Sequence, residues 1–409
     1  MGDYYISILI LMQVMFKVTK PNYRICVLLI LFFIAACGKS KGPLPVSPPV
    51  VRPSVVSPPV VIPPPIVIPP AAPETDVYVS GNLLIGFNST AVYWKGNTLV
   101  KLGDGTSNTV AKAIFIKDDD VYVAGSAEVS GKKKAVYWKN GSMVILDDGA
   151  ATDIVVQGPD VYVSGNFDNY VYGTSVPPVM VAAYWKNGVI NKLVNPIGDI
   201  SGGLPNANAL AISVSGNDVY VGGFGNGTYG GGNIVALYWK NGTATNLTTY
   251  SSSFGNLSAK STVNDLVVQG TDIYMAGFII PATGILAKPT DIGGAVYWKN
   301  TIGVQLFDNS IYSKSSVIGI NGSIVYTAGP YDASNGYYKK DNAVVMLGMN
   351  GQAPNPTGIA FYNNDVYICG YGSAQGSNSG IAGYWKNASL VMLATSGAQA
   401  TGIVVIKHK

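Results

Sequence analysis

The sequence predicts an all-β fold, a seven-bladed β-propeller with four-stranded blades over residues 76–409. Three observations lead to this prediction. A Tyr-Trp-Lys motif recurs along the chain, three further strand-like segments recur with it, and one extra segment at the C-terminus completes the first repeat. Short strands repeated at intervals of about 40–60 residues, separated by turn residues, are typical of propellers.

The Tyr-Trp-Lys motif contains all six tryptophans of the chain, and Tyr337-Tyr338-Lys339 is interpreted as a seventh, degenerate copy. Because the motif recurs in every repeat, we expect its rings to pack between neighbouring blades and its lysine to lie at the turn. The complete copies are Tyr93-Trp94-Lys95, Tyr137-Trp138-Lys139, Tyr184-Trp185-Lys186, Tyr238-Trp239-Lys240, Tyr297-Trp298-Lys299 and Tyr384-Trp385-Lys386.

Three further segments repeat with this motif. A DVYV-type segment precedes it and a short segment ending in leucine follows it. A segment of the form A-x-x-I-x-V precedes each DVYV except the first, and an extra copy at 400–405 ends the chain. We therefore expect the C-terminal strand to close the first blade, since closure removes exposed sheet edges. The A-x-x-I-x-V strands are expected to be innermost and the leucine strands outermost.

The turns support this topology. Asn140-Gly141, Asn187-Gly188 and Asn241-Gly242 follow the motif and predict type I′ hairpins, which need positive φ. The loops from DVYV to Tyr-Trp-Lys, and from the leucine strand to the next blade, vary in length. Up-and-down topology places these variable loops together on one face, where binding residues of a rigid scaffold usually lie.

Aromatic side chains in the longest loops are the candidate ligand-binding residues. Beside Gly, Ser and Asn, such rings suit stacking on a sugar or packing against a protein. Packing of the rings within their own loops is the alternative, and the sequence leaves it open. The loops are 166–181, 194–206, 224–235, 248–262 and 278–294, and the candidates are Phe167, Tyr170, Tyr172, Phe224, Tyr229, Tyr250, Phe254 and Phe278.

The N-terminus predicts export and lipid anchoring. Lys17, Lys20 and Arg24 precede the apolar run 25–34, which ends in the letters IAAC at Cys37. A basic segment, a short apolar run and small residues are typical of a secretory signal. The ending resembles the bacterial lipoprotein lipobox, which implies cleavage before Cys37 and its lipidation. An ordinary signal peptide or a buried apolar strand is the alternative.

The expected organisation is therefore a signal peptide over 1–36, a lipidated cysteine and proline-rich tether over 37–75, and the propeller over 76–409. Met15 is an alternative start of the signal. Thirteen of the 24 prolines lie between Pro43 and Pro73. This composition favours extended polyproline II over a packed core, so the segment is interpreted as a spacer.

Side chains for several classes of catalysis are scarce. The one histidine is His408, near the chain end, where a tail is usually loose. The sequence therefore lacks the histidines that Ser-His catalytic sites and common metal sites require. Cys369 is expected to be a small buried residue. Acidic residues in the long loops, namely Asp168, Asp199 and Asp291, leave carboxylate-pair glycoside hydrolysis as an alternative.

The net charge and the turn residues limit the classes of ligand that we expect. The formal net charge is +4 without a basic stripe, so we expect no nucleic-acid binding. A recurring aspartate precedes the DVYV valine, which favours a turn role over a calcium site. The positions are Asp76, Asp120, Asp160, Asp218, Asp272 and Asp365.

The repeat resembles the YWKNG-type propeller repeats of secreted and lipid-anchored bacterial proteins, which are largely of unknown function. The resemblance covers nearly all of 76–409 and brings no catalytic residues with it. Kelch propellers are a more distant likeness, since the Tyr-Trp pair is adjacent here and the paired glycines are inconsistent.

Together these observations predict a lipid-anchored, extracytoplasmic binding module that presents a loop-rich propeller face to a glycan or protein. We expect a monomeric, non-enzymatic outer-membrane lipoprotein of a bacterial cell envelope, on either side of that membrane, with no cofactor and no metal. The alternatives are a carbohydrate-active enzyme, such as a glycoside hydrolase or lyase using loop carboxylates, and a structural envelope component.

Overall fold

The computed structural model describes residues 74–169, 179–197, 206–226, 234–247, 258–281, 294–307, 313–373 and 380–408. The predicted signal, Cys37 and nearly all of the tether lie outside these ranges. Residue contacts divide the chain into two parts, Met1–Pro69 and Pro70–Lys409, and every described residue belongs to the second. Within the described ranges no helix has the length and apolarity needed to cross a membrane.

The described secondary structure consists of β-strands, which confirms the all-β prediction. The first strands are β1 (Thr75–Ile85), β2 (Asn88–Lys95), β3 (Thr98–Lys101), β4 (Thr109–Lys117), β5 (Asp120–Val129), β6 (Lys132–Lys139), β7 (Ser142–Gln157), β8 (Asp160–Asn169), β9 (Val179–Lys186), β10 (Val189–Lys192), β11 (Ala207–Ser215), β12 (Asp218–Asn226), β13 (Ile234–Lys240) and β14 (Thr243–Asn246). The remaining strands are β15 (Ser258–Gln269), β16 (Asp272–Pro281), β17 (Gly294–Lys299), β18 (Ile302–Gln305), β19 (Val317–Asn321), β20 (Ile324–Pro330), β21 (Gly336–Lys340), β22 (Ala343–Leu347), β23 (Ala353–Tyr362), β24 (Asp365–Ser373), β25 (Ile381–Lys386), β26 (Ser389–Ala394) and β27 (Ala398–Lys407).

The described strands pair antiparallel in groups of four, each of which is one sequence repeat, and a single parallel bridge between Ile234 and Lys260 joins β13 to β15. Repeat 1 is β27-β1-β2-β3. Repeat 2 is β4, β5, β6 and the first half of β7, while the second half of β7 begins repeat 3 with β8, β9 and β10. Repeats 4 to 7 are β11–β14, β15–β18, β19–β22 and β23–β26. We number the strand positions of each repeat first to fourth in this order. None of these described sheets closes on itself.

The C-terminal strand β27 pairs with β1, with Thr75 opposite Lys407, as the extra C-terminal segment predicted. His408 extends this contact. Its Nδ1 lies 2.8 Å from Asp76 Oδ1, and its backbone N–H donates to the Glu74 carbonyl oxygen. The prediction of a loose tail at His408 is therefore wrong, because the β1–β27 ladder holds the chain as far as this residue.

The core lies between neighbouring repeats. All six tryptophans are at most 3% exposed, as the packing prediction required. Trp239 of repeat 4 packs with Tyr162 and Leu193 of repeat 3, and its Nε1 donates to the Val194 carbonyl oxygen at 2.7 Å. Cys369 is fully buried as predicted, and burial raises the pKa of its thiol to about 12. These contacts join each sheet to the next through apolar surface.

Repeat 6 departs from the motif differently from the prediction. Lys340 lies opposite Tyr326, just as Lys240 lies opposite Tyr220 in repeat 4. Lys339 therefore occupies the tryptophan position, and the predicted Tyr-Tyr-Lys alignment is wrong by one residue. The first tyrosine of that run is fully buried at a position held by smaller residues elsewhere. Its bulk compensates in part for the missing indole.

The hairpin turns have the predicted geometry. Asn241 and Gly242 both have positive φ, 49° and 83°, as a type I′ turn requires. Asn140-Gly141 and Asn187-Gly188 repeat these values closely.

Candidate functional site

Each repeat has two ends, which define two faces. The turn face carries the short turns between the first and second strands and the hairpins between the third and fourth. The loop face carries the connections from second to third strand and from each repeat to the next. The described chain begins at β1, a second-position strand, so it enters from the turn face.

The first-position strands of all seven described repeats surround one cavity. β27 contacts β4, and the contacts continue through β7, β11, β15, β19 and β23 back to β27. The cavity has a volume of about 250 Å³, and we call it the axial cavity. It is lined by Lys112, Ala113, Ile114, Thr152, Asp153, Leu210, Ala211, Asn264, Asp265, Ser316, Val317, Thr357, Gly358, Ile359, Thr401, Gly402 and Ile403.

A β-bulge explains which side chains reach this cavity. The register of β27, β4, β7, β11, β15 and β23 shifts against the second-position strand, which leaves one residue unpaired in each. A bulge bends the strand and re-aims the extra side chain. The unpaired residues are Thr401, Lys112, Thr152, Leu210, Asn264 and Thr357, the first variable position of each A-x-x-I segment.

Two half-buried carboxyl groups, those of Asp153 and Asp265, line the axial cavity at the next position. Asp153 accepts hydrogen bonds from the N–H groups of Ile154 and Ile212 at 2.8 and 2.9 Å. Burial raises the pKa of Asp153 to about 6, and these two donors oppose the shift. Asp265 has a pKa raised to about 7 by burial, with a further increase from the negative charge of Asp153.

Polar side chains of the bulges connect neighbouring first-position strands. Thr152 Oγ1 donates to the Ala209 carbonyl oxygen at 2.9 Å, and Thr357 Oγ1 donates to that of Ala400 at 2.9 Å. Asn264 Nδ2 donates at 2.9 Å to a carbonyl oxygen of the next repeat in the same way. These bonds join repeats 3 to 4, 5 to 6 and 7 to 1, where no strand ladder links the first-position strands.

Lys112 differs from the other bulge residues. Of the described residues that line the axial cavity, it alone carries a cationic side chain. Its side chain is accessible from the cavity. Partial removal of water by the surrounding protein lowers the pKa of Lys112, and the nearby positive charge of Lys133 lowers it further. No carboxylate of the described residues lies within salt-bridge distance of it. The axial cavity thus combines one cation that makes no ion pair, two carboxyl groups whose oxygens accept backbone hydrogen bonds, and hydroxyl and amide groups.

Sequence analysis missed Lys112, Asp153 and Asp265. A signal was present, because the position after the bulge is Ala, Val or Gly in the other five repeats and aspartate only in these two. Small residues fit where adjacent strands converge: a Cβ at Gly402 would lie 3.2 Å from Ile114 N. Charged residues at such a position indicate a specific role in the cavity.

The structure describes three of the predicted aromatic residues. Phe167, Phe224 and Phe278 lie within β8, β12 and β16, close to the loop-face ends of these strands. They belong to strands and not to loops, since the ladders run further than predicted. Each is half-buried, and no ring contact joins them among the described residues. Tyr170, Tyr172, Tyr229, Tyr250 and Phe254 lie outside the described residues.

Two of these rings lie close to lysines. Lys192 Nζ is 4.4 Å from the centroid of Phe167, and Lys314 Nζ is 5.0 Å from that of Phe278. Such distances are typical of cation–π contacts. Phe167 also packs against the core between repeats 2 and 3. Packing within the protein therefore covers much of the Phe167 ring.

Among the loop carboxylates, the structure describes Asp168. It lies in β8, where it accepts a hydrogen bond from Asn166 Nδ2 at 2.9 Å. Burial raises its pKa, and the charge of Lys133 opposes the rise. Asp199 and Asp291 lie outside the described residues, so the alternative of carboxylate-pair glycoside hydrolysis stays a prediction.

The recurring aspartates form ion pairs at the turn face. Asp218 Oδ2 lies 2.8 Å from Lys240 Nζ, while its Oδ1 accepts from Asn241 Nδ2 at 2.8 Å. The same asparagine accepts from the N–H of Val219, and the lysine lies over the Tyr220 ring. Hydrogen bonds from Lys240 and Asn241 lower the pKa of Asp218. Equivalent networks surround Asp120, Asp160, Asp272 and Asp365.

No group of three or more His, Cys, Asp or Glu side chains that could hold a metal ion occurs among the described residues.

No family model matches the sequence, and no curated protein matches it. Solved structures that resemble the fold include TolB from Acinetobacter baumannii, with 9% identity, a TM-score of 0.40 and coverage of 81% of this chain and 66% of that chain. A puromycin-hydrolyzing peptidase of Mycobacterium tuberculosis has 9% identity and a TM-score of 0.46, over 77% of this chain and 53% of that chain. The polysaccharide lyase Uly1 has 9% identity and a TM-score of 0.44, over 81% and 88%.

The chain therefore spans less than two thirds of the TolB and peptidase chains. At such identities and TM-scores, these likenesses carry no inference about the chemistry of this chain.

Proposed function

We propose that the seven repeats are the blades of a seven-bladed β-propeller and that the protein is a lipid-anchored binding module of the bacterial envelope. The continuous contacts among the first-position strands support the ring, and the β1–β27 pairing supports its closure. The lipobox-like ending at Cys37 supports the anchor.

The axial cavity supports a glycan as the ligand, and one that carries acidic groups. The observation behind this proposal is Lys112, a cation without a carboxylate partner among the described residues, beside the side chains of Thr152, Thr357 and Thr401. An ammonium donates charge-assisted hydrogen bonds to a sugar carboxylate or sulfate, and hydroxyl oxygens accept hydrogen bonds from sugar hydroxyl groups. Aromatic rings at the loop face, including Phe224 and Phe278, would stack on neighbouring sugar rings.

Glycan binding is tested with the full-length chain on acidic and neutral oligosaccharides, followed by titration calorimetry. We expect Lys112→Gln to weaken binding of the acidic glycan about 10-fold or more, equivalent to ~1.4 kcal/mol. Lys101→Gln, an exposed lysine of the outer strand β3, is the matched control and should change the Kd less than about twofold. Equal binding by the Lys112 variant, or capture of proteins with no glycan bound, would contradict the proposal.

The anchor is tested by metabolic labelling with a clickable fatty acid. Labelling should be present in the unmodified chain and lost in Cys37→Ser. Protease shaving of intact cells then separates a surface-exposed domain from a periplasmic one. Persistent labelling of the serine variant would rule out lipidation at Cys37.

The second candidate is a carbohydrate-active enzyme, favoured by the raised pKa values of two carboxyls that line one cavity. In the described structure, however, both oxygens of Asp153 and both oxygens of Asp265 accept backbone hydrogen bonds. This arrangement suits strand cross-linking better than proton transfer. Polysaccharide turnover that disappears in Asp265→Asn while binding persists would favour the enzyme.

A further inference from the structure

Repeat 6 replaces an apolar pair with a polar one. Thr327 and Lys339 lie opposite each other in β20 and β21. In the other six repeats the same register pairs an apolar residue with tryptophan: Val79–Trp94, Val123–Trp138, Val163–Trp185, Val221–Trp239, Met275–Trp298 and Ile368–Trp385. Because both members of the pair have changed, this position in repeat 6 is polar where the other repeats are apolar.

A cavity of about 260 Å³ lies at this position, between repeats 5 and 6. Repeat 5 supplies one wall and repeat 6 the other. This volume is just below the ~300 Å³ at which small-molecule pockets usually begin, so its occupant would be about one ring in size. The lining residues are Tyr297, Val304, Gln305, Leu306, Val325, Thr327, Lys339, Asp341 and Asn342.

Lys339 contributes an ammonium group that forms no ion pair with a described carboxylate. Its Nζ donates to the Leu306 carbonyl oxygen at 2.8 Å, which corresponds to the indole bonds of Trp239 and Trp385 to the preceding repeat. It also lies 5.5 Å from the Phe307 ring centroid. No carboxylate of the described residues pairs with it, so donor capacity remains for a ligand.

Thr327 contributes a hydroxyl that lacks a hydrogen-bond partner. The residue is 2% exposed, and its Oγ1 forms no hydrogen bond of standard geometry among the described residues, although a weaker interaction with the Tyr337 hydroxyl lowers the pKa of that tyrosine. A buried hydroxyl without a partner destabilises the folded protein. A ligand acceptor would satisfy this group.

We propose that this cavity binds a small planar carboxylate. Its carboxylate accepts hydrogen bonds from the Lys339 ammonium and the Thr327 hydroxyl. Its ring occupies the space of the missing indole, against Val325 and the Tyr297 ring. Asp341 lies exposed at the turn-face edge of the cavity, which restricts the ligand to one anionic group. The site is separate from the axial cavity, so it stands independently of glycan binding.

Benzoate is the probe, titrated into the full-length chain by calorimetry and ligand-observed NMR. We expect Lys339→Gln to weaken benzoate binding about 10-fold or more, since it keeps the cavity and removes the charge. Thr327→Val should weaken it several-fold, and Lys339→Trp should abolish it by restoring the indole. Lys340→Gln removes the adjacent exposed lysine and should leave the Kd within about twofold.

Failure of benzoate to bind the unmodified chain at about 10 mM would overturn the proposal, since even one-ring ligands bind built sites more tightly. Unchanged binding by both Lys339→Gln and Thr327→Val would also overturn it. The glutamine and valine variants decide the question if the tryptophan variant does not fold, and circular dichroism monitors folding in all of them.

Discussion

Asp153 Oδ2 accepts the backbone N–H of Ile212 at 2.9 Å and so joins the first-position strands of repeats 3 and 4. Asp265 makes the same bond to Ile318 at 2.9 Å, between repeats 5 and 6. Neither pair of strands shares a ladder, so a carboxylate supplies the acceptor that a neighbouring strand would otherwise provide. These aspartates link repeats to one another as well as lining the axial cavity.

The first prediction concerns pH. The folded pKa of Asp153, about 6, lies above the unfolded value near 3.9. The folded protein therefore binds more protons than the unfolded chain between pH 4 and 6, and its stability falls as pH rises through this window. We expect the free energy of unfolding from urea titrations to drop by on the order of 2–3 kcal/mol from this residue.

Asp153→Asn, which does not titrate, is the comparison for this prediction. Its stability should depend less on pH between 4.5 and 7.5 than that of the unmodified chain. The lowered pKa values of the turn-face aspartates act below this window and do not interfere. Parallel pH profiles of the two proteins would show that Asp153 keeps an ordinary pKa.

The second prediction concerns the hairpin turn at Asn241. This residue combines a φ of 49° with hydrogen bonds to Val219 and Asp218. Asn241→Gly should cost about 1 kcal/mol from the lost bonds, and Asn241→Ala about 1 kcal/mol more, because a Cβ disfavours positive φ. Thermal unfolding measures both. Equal stability of the two variants would contradict the backbone argument.

Repeat 1 provides a natural parallel to that substitution. Gly96 occupies the asparagine position there, with a φ of 54°. The aspartate of this repeat contacts His408 in place of the missing amide.

The third prediction separates indole hydrogen bonding from indole packing. Trp239 and Trp298 are both fully buried, but only the first donates through Nε1, to Val194, whereas Trp298 Nε1 has no partner in the described structure. Replacing either by phenylalanine removes similar volume. We expect Trp239→Phe to lower the free energy of unfolding by about 1 kcal/mol more than Trp298→Phe. The opposite order in chemical denaturation would refute this assignment.

The fourth prediction concerns closure by β27. Deleting residues 398–409 should abolish cooperative thermal unfolding, since it exposes the edge of β1 and removes the contacts that β27 makes with β23 and with β4. A synthetic peptide of the same residues, added in trans, should restore the transition. Deletion with no loss of cooperativity would mean that the ring does not depend on this strand.

Most of the fold was predictable because its signals are local and repeated. Tyr-Trp-Lys copies, Asn-Gly turns and the extra C-terminal segment each depend on near neighbours in sequence, and the paired strands agree with them. The alignment in repeat 6 failed because Lys339 at the tryptophan position has no counterpart in the motif. Only the strand register, with Lys340 opposite Tyr326, identified it.

The candidate site was less predictable, because it forms where residues far apart in sequence meet. Lys112 and Asp265 line the same cavity although they belong to repeats 2 and 5. The sequence pattern favoured the loops as the place of the ligand-binding residues, whereas β-bulges in the first-position strands bring polar side chains to the axial cavity. Phe167, Phe224 and Phe278 were assigned to loops because strand ends are the least certain part of a pattern-based prediction.

β7 runs without interruption from the fourth strand of repeat 2 into the first strand of repeat 3, with Asp148 and Gly149 at the junction. No residue outside the strand separates these two repeats, so they share one continuous stretch of extended backbone. A displacement of either repeat is therefore transmitted to the other directly through covalent bonds.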